Sequence, residues 1–394
     1  MRAAAFFKMI TAMVLPVLLF ACSAPLPQGL PPEIAIGCVM PTAAAPARGP
    51  NLIKTAQLAI MQINGHGGIA GKRLTWLVED EGPTAATSLL AVHKLISENN
   101  VQVILGCTTS EAVMGAGQYL ASKGVPLVSP SATSTELSRQ SWSSWIFRTS
   151  PDDSLQGGVV AKLIKDRGFK KVATLVQDTI YGRGIEEMAK EFLKGRAEVV
   201  ISVRYDRAKL SYFSELNAIK DEKPDCVLHV GSYEDSAVVY RQAGELGMDN
   251  IKWIAVDGVY DMPLDKYIEA AKFMEKAVTG TVPVPDLQSD VYKNFNSDYK
   301  SAYNFAPTVY CDTTYDGMNL IALAVKQANS YYGAGIRDAL LTVGKDYHGA
   351  SGTITFDQLG ARMAGNYGVW KVAMEGTQYQ FVMTGESVSF LRPK

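Results

Sequence analysis

From Glu33 onward the chain alternates short apolar runs with helical ones, and it does so in two series. "EIAIGCVM", "RLTWLVED", "VQVILG" and "VPLVSP" read as strands. Between them lie "NLIKTAQLAIMQIN", "TAATSLLAVHKLISENN" and "EAVMGAGQYLASKG", which read as helices. In the first of these, Ile53, Ala56, Ile60 and Ile63 share one face. A second series starts near Lys170, with strands "KKVATLVQD", "AEVVISVRY", "DCVLHVG" and "IKWIAVDG" spaced by helical segments. Strands that are apolar throughout and alternate with helices form parallel sheets covered on both faces. The expected fold is therefore α/β, with two similar lobes. In open parallel sheets a ligand binds beyond the carboxyl ends of the strands. The polar segments "CTTS", "SPSAT", "DTIYG", "GSY" and "DG" each sit at such an end.

Bulk properties narrow the function. A chain of 394 residues exceeds one compact core and suits two lobes. A formal net charge of -1 and no long basic run argue against a nucleic-acid partner. The cysteines at 22, 38, 107, 226 and 311 form no C-x-x-C pair and the four histidines are isolated, so neither a metal nor a cofactor is expected. "GHGGIA" fits G-x-G-x-x-A, but it follows a helix and precedes a strand, the reverse of a dinucleotide site. Gly67 and Gly68 instead end a helix, and Gly71 turns the chain. G-x-S-x-G and H-E-x-x-H are absent. Glu79, Asp80 and Glu81 are sequence neighbours rather than an acid/base pair, so no enzyme is expected.

Residues 1–22 read as a secretory leader: Arg2 and Lys8, an apolar run too short to span a membrane, then Ala21 and Cys22. "LFAC" resembles a bacterial lipobox, which implies a lipidated Cys22. Plain secretion is the alternative. Residues 23–33 are Pro-rich and read as a tether. Export permits disulfides. Cys38 and Cys107 could lie on neighbouring strands, either bridged or as buried free thiols.

The segments also resemble a known family. "AIMQINGHGGIAGKRLTWLVEDEG" is similar to the signature of type I periplasmic binding proteins, in the leucine/isoleucine/valine-binding branch. The likeness continues in order through "VILGCTTS", "VPLVSPSAT", "WIFRTSPDDSLQG", "DTIYGRG", "RQAGELG", "YDGMNLIALAV" and "GASGTITFDQLGAR". It implies two Rossmann-like lobes joined by three crossovers, an N-terminal lobe of residues 34–151 plus 282–347 and a C-terminal lobe of 152–281 plus 348–394. It also implies a monomeric, periplasmic or cell-surface solute-binding protein. Such a protein delivers an amino acid or close analogue to an ABC transporter permease. A ligand-sensing or regulatory lipoprotein of the same fold is the alternative.

Site residues follow from the same resemblance. Ser110 of "GCTTS" and Ser131, Ala132 and Thr133 of "SPSAT" would cradle the ligand's carboxylate through hydroxyls and backbone amides. Neutral donors can hold an anion without a buried counter-charge. Asp153 would lie near the hinge, Tyr181 and Tyr233 would flank the ligand, and Asp257 would meet its ammonium. Arg48 stands where the family often has an aromatic residue. It is either an exposed loop residue or a cation facing an acidic ligand side chain. Cys107 finds no partner in "VEDEGPTAA", where the family's second early cysteine would fall.

Overall fold

The computed structural model describes residues 29–42, 48–260 and 262–391. The leader, Cys22 and most of the Pro-rich segment lie outside the described residues. Gly29 already bridges Ser330, and the first strand begins at Glu33.

The first series comprises β1 (Glu33–Met40), α1 (Gly49–Gly65), β2 (Arg73–Asp80), α2 (Ala85–Ser97), β3 (Ile104–Gly106), α3 (Ser110–Lys123), β4 (Leu127–Ser129) and β5 (Ile146–Pro151). The second comprises α4 (Asp153–Asp166), β6 (Lys171–Gln177), α5 (Ile180–Leu193), β7 (Glu198–Tyr205), α6 (Phe213–Asp221), β8 (Cys226–Val230), α7 (Tyr233–Glu245), β9 (Lys252–Ala255), α8 (Ile268–Ala277) and β10 (Val278–Pro283). The remainder contributes α9 (Asp290–Tyr303), α10 (Cys311–Ala328), α11 (Gly333–Val343), β11 (Tyr347–Gly349), β12 (Gly352–Ile354), β13 (Ala361–Arg362), β14 (Ala364–Glu375) and β15 (Gln378–Leu391).

One sheet has the order β13-β5-β4-β3-β1-β2, the other β15-β14-β10-β9-β8-β6-β7. The strand-helix alternation thus builds two α/β lobes. Parallel pairing holds within each series, whereas β14 and β15 add antiparallel strands to the second sheet. The chain crosses between lobes after β5, after β10 and between β13 and β14. The third crossover differs from the expected division at 347/348. Strand β13 pairs with β5, and Asp316 on α10 accepts from the amides of Ala350 and Ser351. Residues 347–362 therefore pack with the N-terminal lobe. A two-residue strand has no hydrophobic period that would reveal it in the sequence.

Helix starts are set where the strands end. Thr109, Asp152 and Thr179 each accept a backbone N–H in the first turn of α3, α4 and α5. Such caps contribute about 1 kcal/mol each. They also turn the positive ends of these helices toward the space between the lobes. Cys38, Cys107, Cys226 and Cys311 are all buried free thiols. Cys38 and Cys107 do lie on and beside neighbouring strands, since Cys38 is opposite Leu105.

Candidate functional site

The strand ends of both lobes line a cleft of about 410 Å³. On one wall β3 ends in Gly106 at φ +127°, where an added Cβ would sit 2.0 Å from the Val39 carbonyl oxygen. Only glycine fits there, and the turn it permits presents Thr108, Thr109 and Ser110 to the cleft. Hydrogen bonds tie this turn to the loop after β4. Ser131 Oγ donates to the Thr108 carbonyl (2.7 Å), Ser129 Oγ donates to the Cys107 carbonyl (2.6 Å), and Ser134 N donates to Ser110 Oγ (3.1 Å). Ser110, Ser131 and Thr133 all line the cleft.

Ala132 does not reach it. Its side chain packs in the core and its N–H donates to Ser129 Oγ (3.1 Å). It shapes the loop rather than offering an amide to a ligand. Beneath the loop lies a residue that the pattern did not mark. Arg148 is buried and donates to the carbonyls of Thr133 (3.1 Å) and Ser134 (2.8 Å), beside Asp152 at 3.3 Å. The neutral cradle therefore rests on a buried cation. Its only trace in the sequence is an Arg inside an apolar strand.

The opposite wall carries Asp257, buried just after β9. Its Oδ1 accepts from Tyr181 OH (3.0 Å) and its Oδ2 from Tyr310 OH (2.5 Å). Tyr310 precedes α10, so this second bond joins the two lobes. Burial, then the charge of Asp257, pushes both phenols well above their usual range and keeps them as donors. Gly258 permits the arrangement. Its N–H donates to Tyr181 OH (3.3 Å), and an added Cβ would lie 2.4 Å from the Gly231 carbonyl oxygen.

Asp153 lies deeper than expected. It opens α4 fully buried, outside the cleft lining, and neither oxygen has a hydrogen bond of good geometry although the Thr133 hydroxyl is close. Burial, then repulsion from Asp257 and Asp152, pushes its carboxyl well above the usual range. Tyr233, half-buried at the start of α7, lines the cleft. Arg48 is half-buried and also lines it, with its guanidinium 5.2 Å from the Tyr310 ring centroid. Arg207 lines the cleft from the other lobe, at a turn held by the Ala208 N–H on Asp235 (2.9 Å).

Glu81, set aside in the sequence as one of three adjacent acids, is a wall of the cleft. It follows β2, so the rule that marked the other strand ends would have found it. Contacts across the cleft edge bring the lobes together. Glu111 accepts from Ile180 N (2.8 Å), Ser134 Oγ donates to the Ile180 carbonyl (3.1 Å), and Arg139 pairs with Glu187 (2.9 Å).

The sequence profile described as "Periplasmic binding protein" matches residues 33–377. Among curated proteins, the Leu/Ile/Val-binding protein BraC3 of Rhizobium johnstonii is 25% identical over 344 residues, 86% of this chain and 91% of the relative. Among solved structures, the branched-chain amino acid transporter substrate-binding protein LivJ of Streptococcus pneumoniae, in complex with isoleucine, superposes with a TM-score of 0.75. It is 24% identical and covers 89% of this chain and 99% of its own. A solute-binding protein of an ABC transporter from Rhodopseudomonas palustris BisB5, in complex with 3,4-dihydroxybenzoic acid, also gives 0.75. It is 22% identical and covers 92% of this chain and 99% of its own.

Proposed function

The chain belongs to the periplasmic binding protein family, whose members bind solutes, and from that premise we propose that it captures an amino acid or close analogue between its lobes and passes it to an ABC transporter permease. The observation that carries this reading is the opposition, across one cleft, of a hydroxyl-lined cradle and a buried acid. Ser110, Ser131 and Thr133 would hold a carboxylate over the Arg148 cation. Asp257, oriented by Tyr181 and Tyr310, would hold an ammonium, with Asp153 as a second acid behind it. Tyr233 would pack against the body of the ligand. A zwitterion satisfies both ends.

The side chain of the ligand would face Arg48, with Arg207 on the opposite lobe. A second anionic group suits that end better than a branched alkyl chain, because a carboxylate can accept charge-assisted hydrogen bonds from a guanidinium and an alkyl chain cannot. Closure follows because a ligand that touches both lobes favours the arrangement in which both contacts exist. We further propose that the chain is exported, works as a monomer and is anchored through Cys22. Metabolic labelling with palmitate, lost in Cys22→Ser, tests the anchor.

The test of binding is calorimetric titration of the chain lacking residues 1–22, unfolded and refolded to strip carried-over ligand. The expected result is micromolar or tighter binding of one amino acid, with glutamate ahead of leucine and binding lost in Asp257→Ala. Binding of benzoate but of no amino acid would overturn the role of Asp257 and leave the cradle. No binding by any of them would turn the reading toward a regulatory protein of the same fold.

A further inference from the structure

Glu81 is 1% exposed, yet it lines the ligand cleft. Its Oε2 accepts from Thr108 N (2.6 Å) and Thr108 Oγ1 (2.8 Å), and its Oε1 accepts from Thr109 N (3.1 Å) and Thr109 Oγ1 (2.9 Å). Four neutral donors converge on one carboxylate, and all four belong to the two residues that precede Ser110. Its own backbone is equally fixed. The Glu81 N–H donates to the Met40 carbonyl (3.0 Å), and the Glu81 carbonyl accepts from Ser88 Oγ (2.9 Å). This side chain therefore pins the turn that forms half of the cradle.

The arrangement also creates a conflict. An anionic ligand seated at Ser110 would approach a second carboxylate in a space closed to water. Two like charges in that setting are not both retained, and one takes up a proton. We propose that Glu81 is a positioning residue of the cradle and that it gains a proton when a carboxylate enters, so that each anionic ligand is bound together with one proton. The proton has a place to act. A neutral Glu81 carries one O–H donor, so one threonine hydroxyl must turn from donating to accepting, and its own hydrogen then points into the cleft toward the ligand.

The surrounding charges do not remove the conflict. On its own strand, Glu79 is paired with Lys94 of α2 (2.7 Å), and Asp80 accepts from Thr42 N (2.8 Å). On the β3–α3 connection stand the buried Cys107 thiol and Glu111, which is bonded to Ile180 N. Arg48 beside Tyr310, with Arg207, Glu234, Asp235 and Asp257 from the other lobe, completes the charged lining, and the Arg148 cation beneath the cradle is already beside Asp152 (3.3 Å). The Glu81 donors are the neutral ones named above. Burial already pushes Glu81 up to about 7, so a modest further push loads the proton near neutral pH.

The inference rests on the cradle reading of Ser110, Ser131 and Thr133. Its test is titration of the ligand-stripped protein with L-glutamate, L-leucine and benzoate at pH 8.0 in phosphate and in Tris. The slope of apparent enthalpy against buffer ionisation enthalpy counts protons. The expected slope is close to one proton taken up per carboxylate bound, with affinity falling toward tenfold per unit as pH rises above 8. Glu81→Gln copies the neutral acid, so it should bind the same probe with no uptake and a flat pH profile. Infrared difference spectra of the unaltered protein should gain a protonated-carboxyl band on binding, a readout that needs no variant. Binding without uptake, or uptake unchanged in Glu81→Gln, overturns this inference alone. Failure of every probe to bind overturns it together with the cradle reading.

Discussion

Acid should destabilise the second lobe through one imidazole. His229 is fully buried on β8, with Nδ1 3.1 Å from the Leu175 carbonyl and Nε2 2.9 Å from Ser236 Oγ. A neutral ring that donates through Nδ1 leaves Nε2 to share the single Ser236 hydroxyl hydrogen with the Ser232 carbonyl (2.7 Å). Tyr205 stacks on the ring, and Tyr240 and Trp253 meet it edge-on. Burial lowers the group from 6.5 to about 4. The unfolded chain therefore takes the proton first as pH falls, and the stability present above pH 6.5 is lost toward pH 4. One unit corresponds to about 1.4 kcal/mol, so the full loss is about 3 kcal/mol and the loss by pH 5 about 2 kcal/mol. Buried carboxyls act in the opposite direction. Glu81 is raised to about 7 and Asp316 to about 6, so what they cost at neutral pH is regained on acidification. The wild-type curve alone mixes these effects, and a comparison with His229→Gln separates them. Urea denaturation at pH 7.5 and 5.0, followed by circular dichroism, should show wild type losing about 2 kcal/mol more than the variant over that interval. Equal losses, within about 0.5 kcal/mol, would refute the assignment of a buried neutral imidazole.

Four further outcomes follow from named contacts. Tyr310→Phe removes a donor to Asp257 and one bond between lobes, and should weaken the bound amino acid about tenfold by calorimetry, since such bonds to charged groups contribute about 1.5 kcal/mol or more. Arg148→Met leaves Asp152 without its buried cation and should cost about 3–5 kcal/mol in urea denaturation. Glu111→Ala removes the acceptor of the Ile180 N–H across the lobe boundary, with Thr179 still capping α5, and should raise the radius of gyration of the ligand-free protein in X-ray scattering. Arg139→Ala breaks only exposed pairs, with Glu136 and Glu187, and should leave that radius and the affinity unchanged, since such pairs contribute about 0–1 kcal/mol each.

The lobes were legible because their strands are buried on both faces, which writes each one as a largely apolar run such as "VATLV" or "CVLHV". The same logic fails for "GTI" and "AR", the short strands β12 and β13. Their place is fixed by Asp316 and Arg362 rather than by any period. Arg362 donates to the carbonyls of Thr149, Ser351 and Thr353, a polar link between segments more than 200 residues apart in part. Such links carry no local signature, so the third crossover was placed too early.

The cleft divides along a similar line. The candidate residues Ser110, Ser131, Thr133 and Asp257 could be named because the family resemblance marks them and each stands at a strand end, where the cleft lining brings them together. Tyr310 and Arg148 could not be, because one reaches the site from a helix approach and the other from inside a strand. Glu81 is the instructive case. Its segment, "VEDEGPTAA", holds no cysteine that could fix the Cys107 turn by a bridge. The turn nonetheless needs fixing, since Gly106 and Cys107 both have positive φ and the residues after them must face the cleft. A carboxylate that accepts two amides and two hydroxyls meets that need without a covalent bond. A covalent bridge would be indifferent to a neighbouring anion. A carboxylate is not, so the substitution that solves a folding problem also brings a titratable group to within two residues of the cradle.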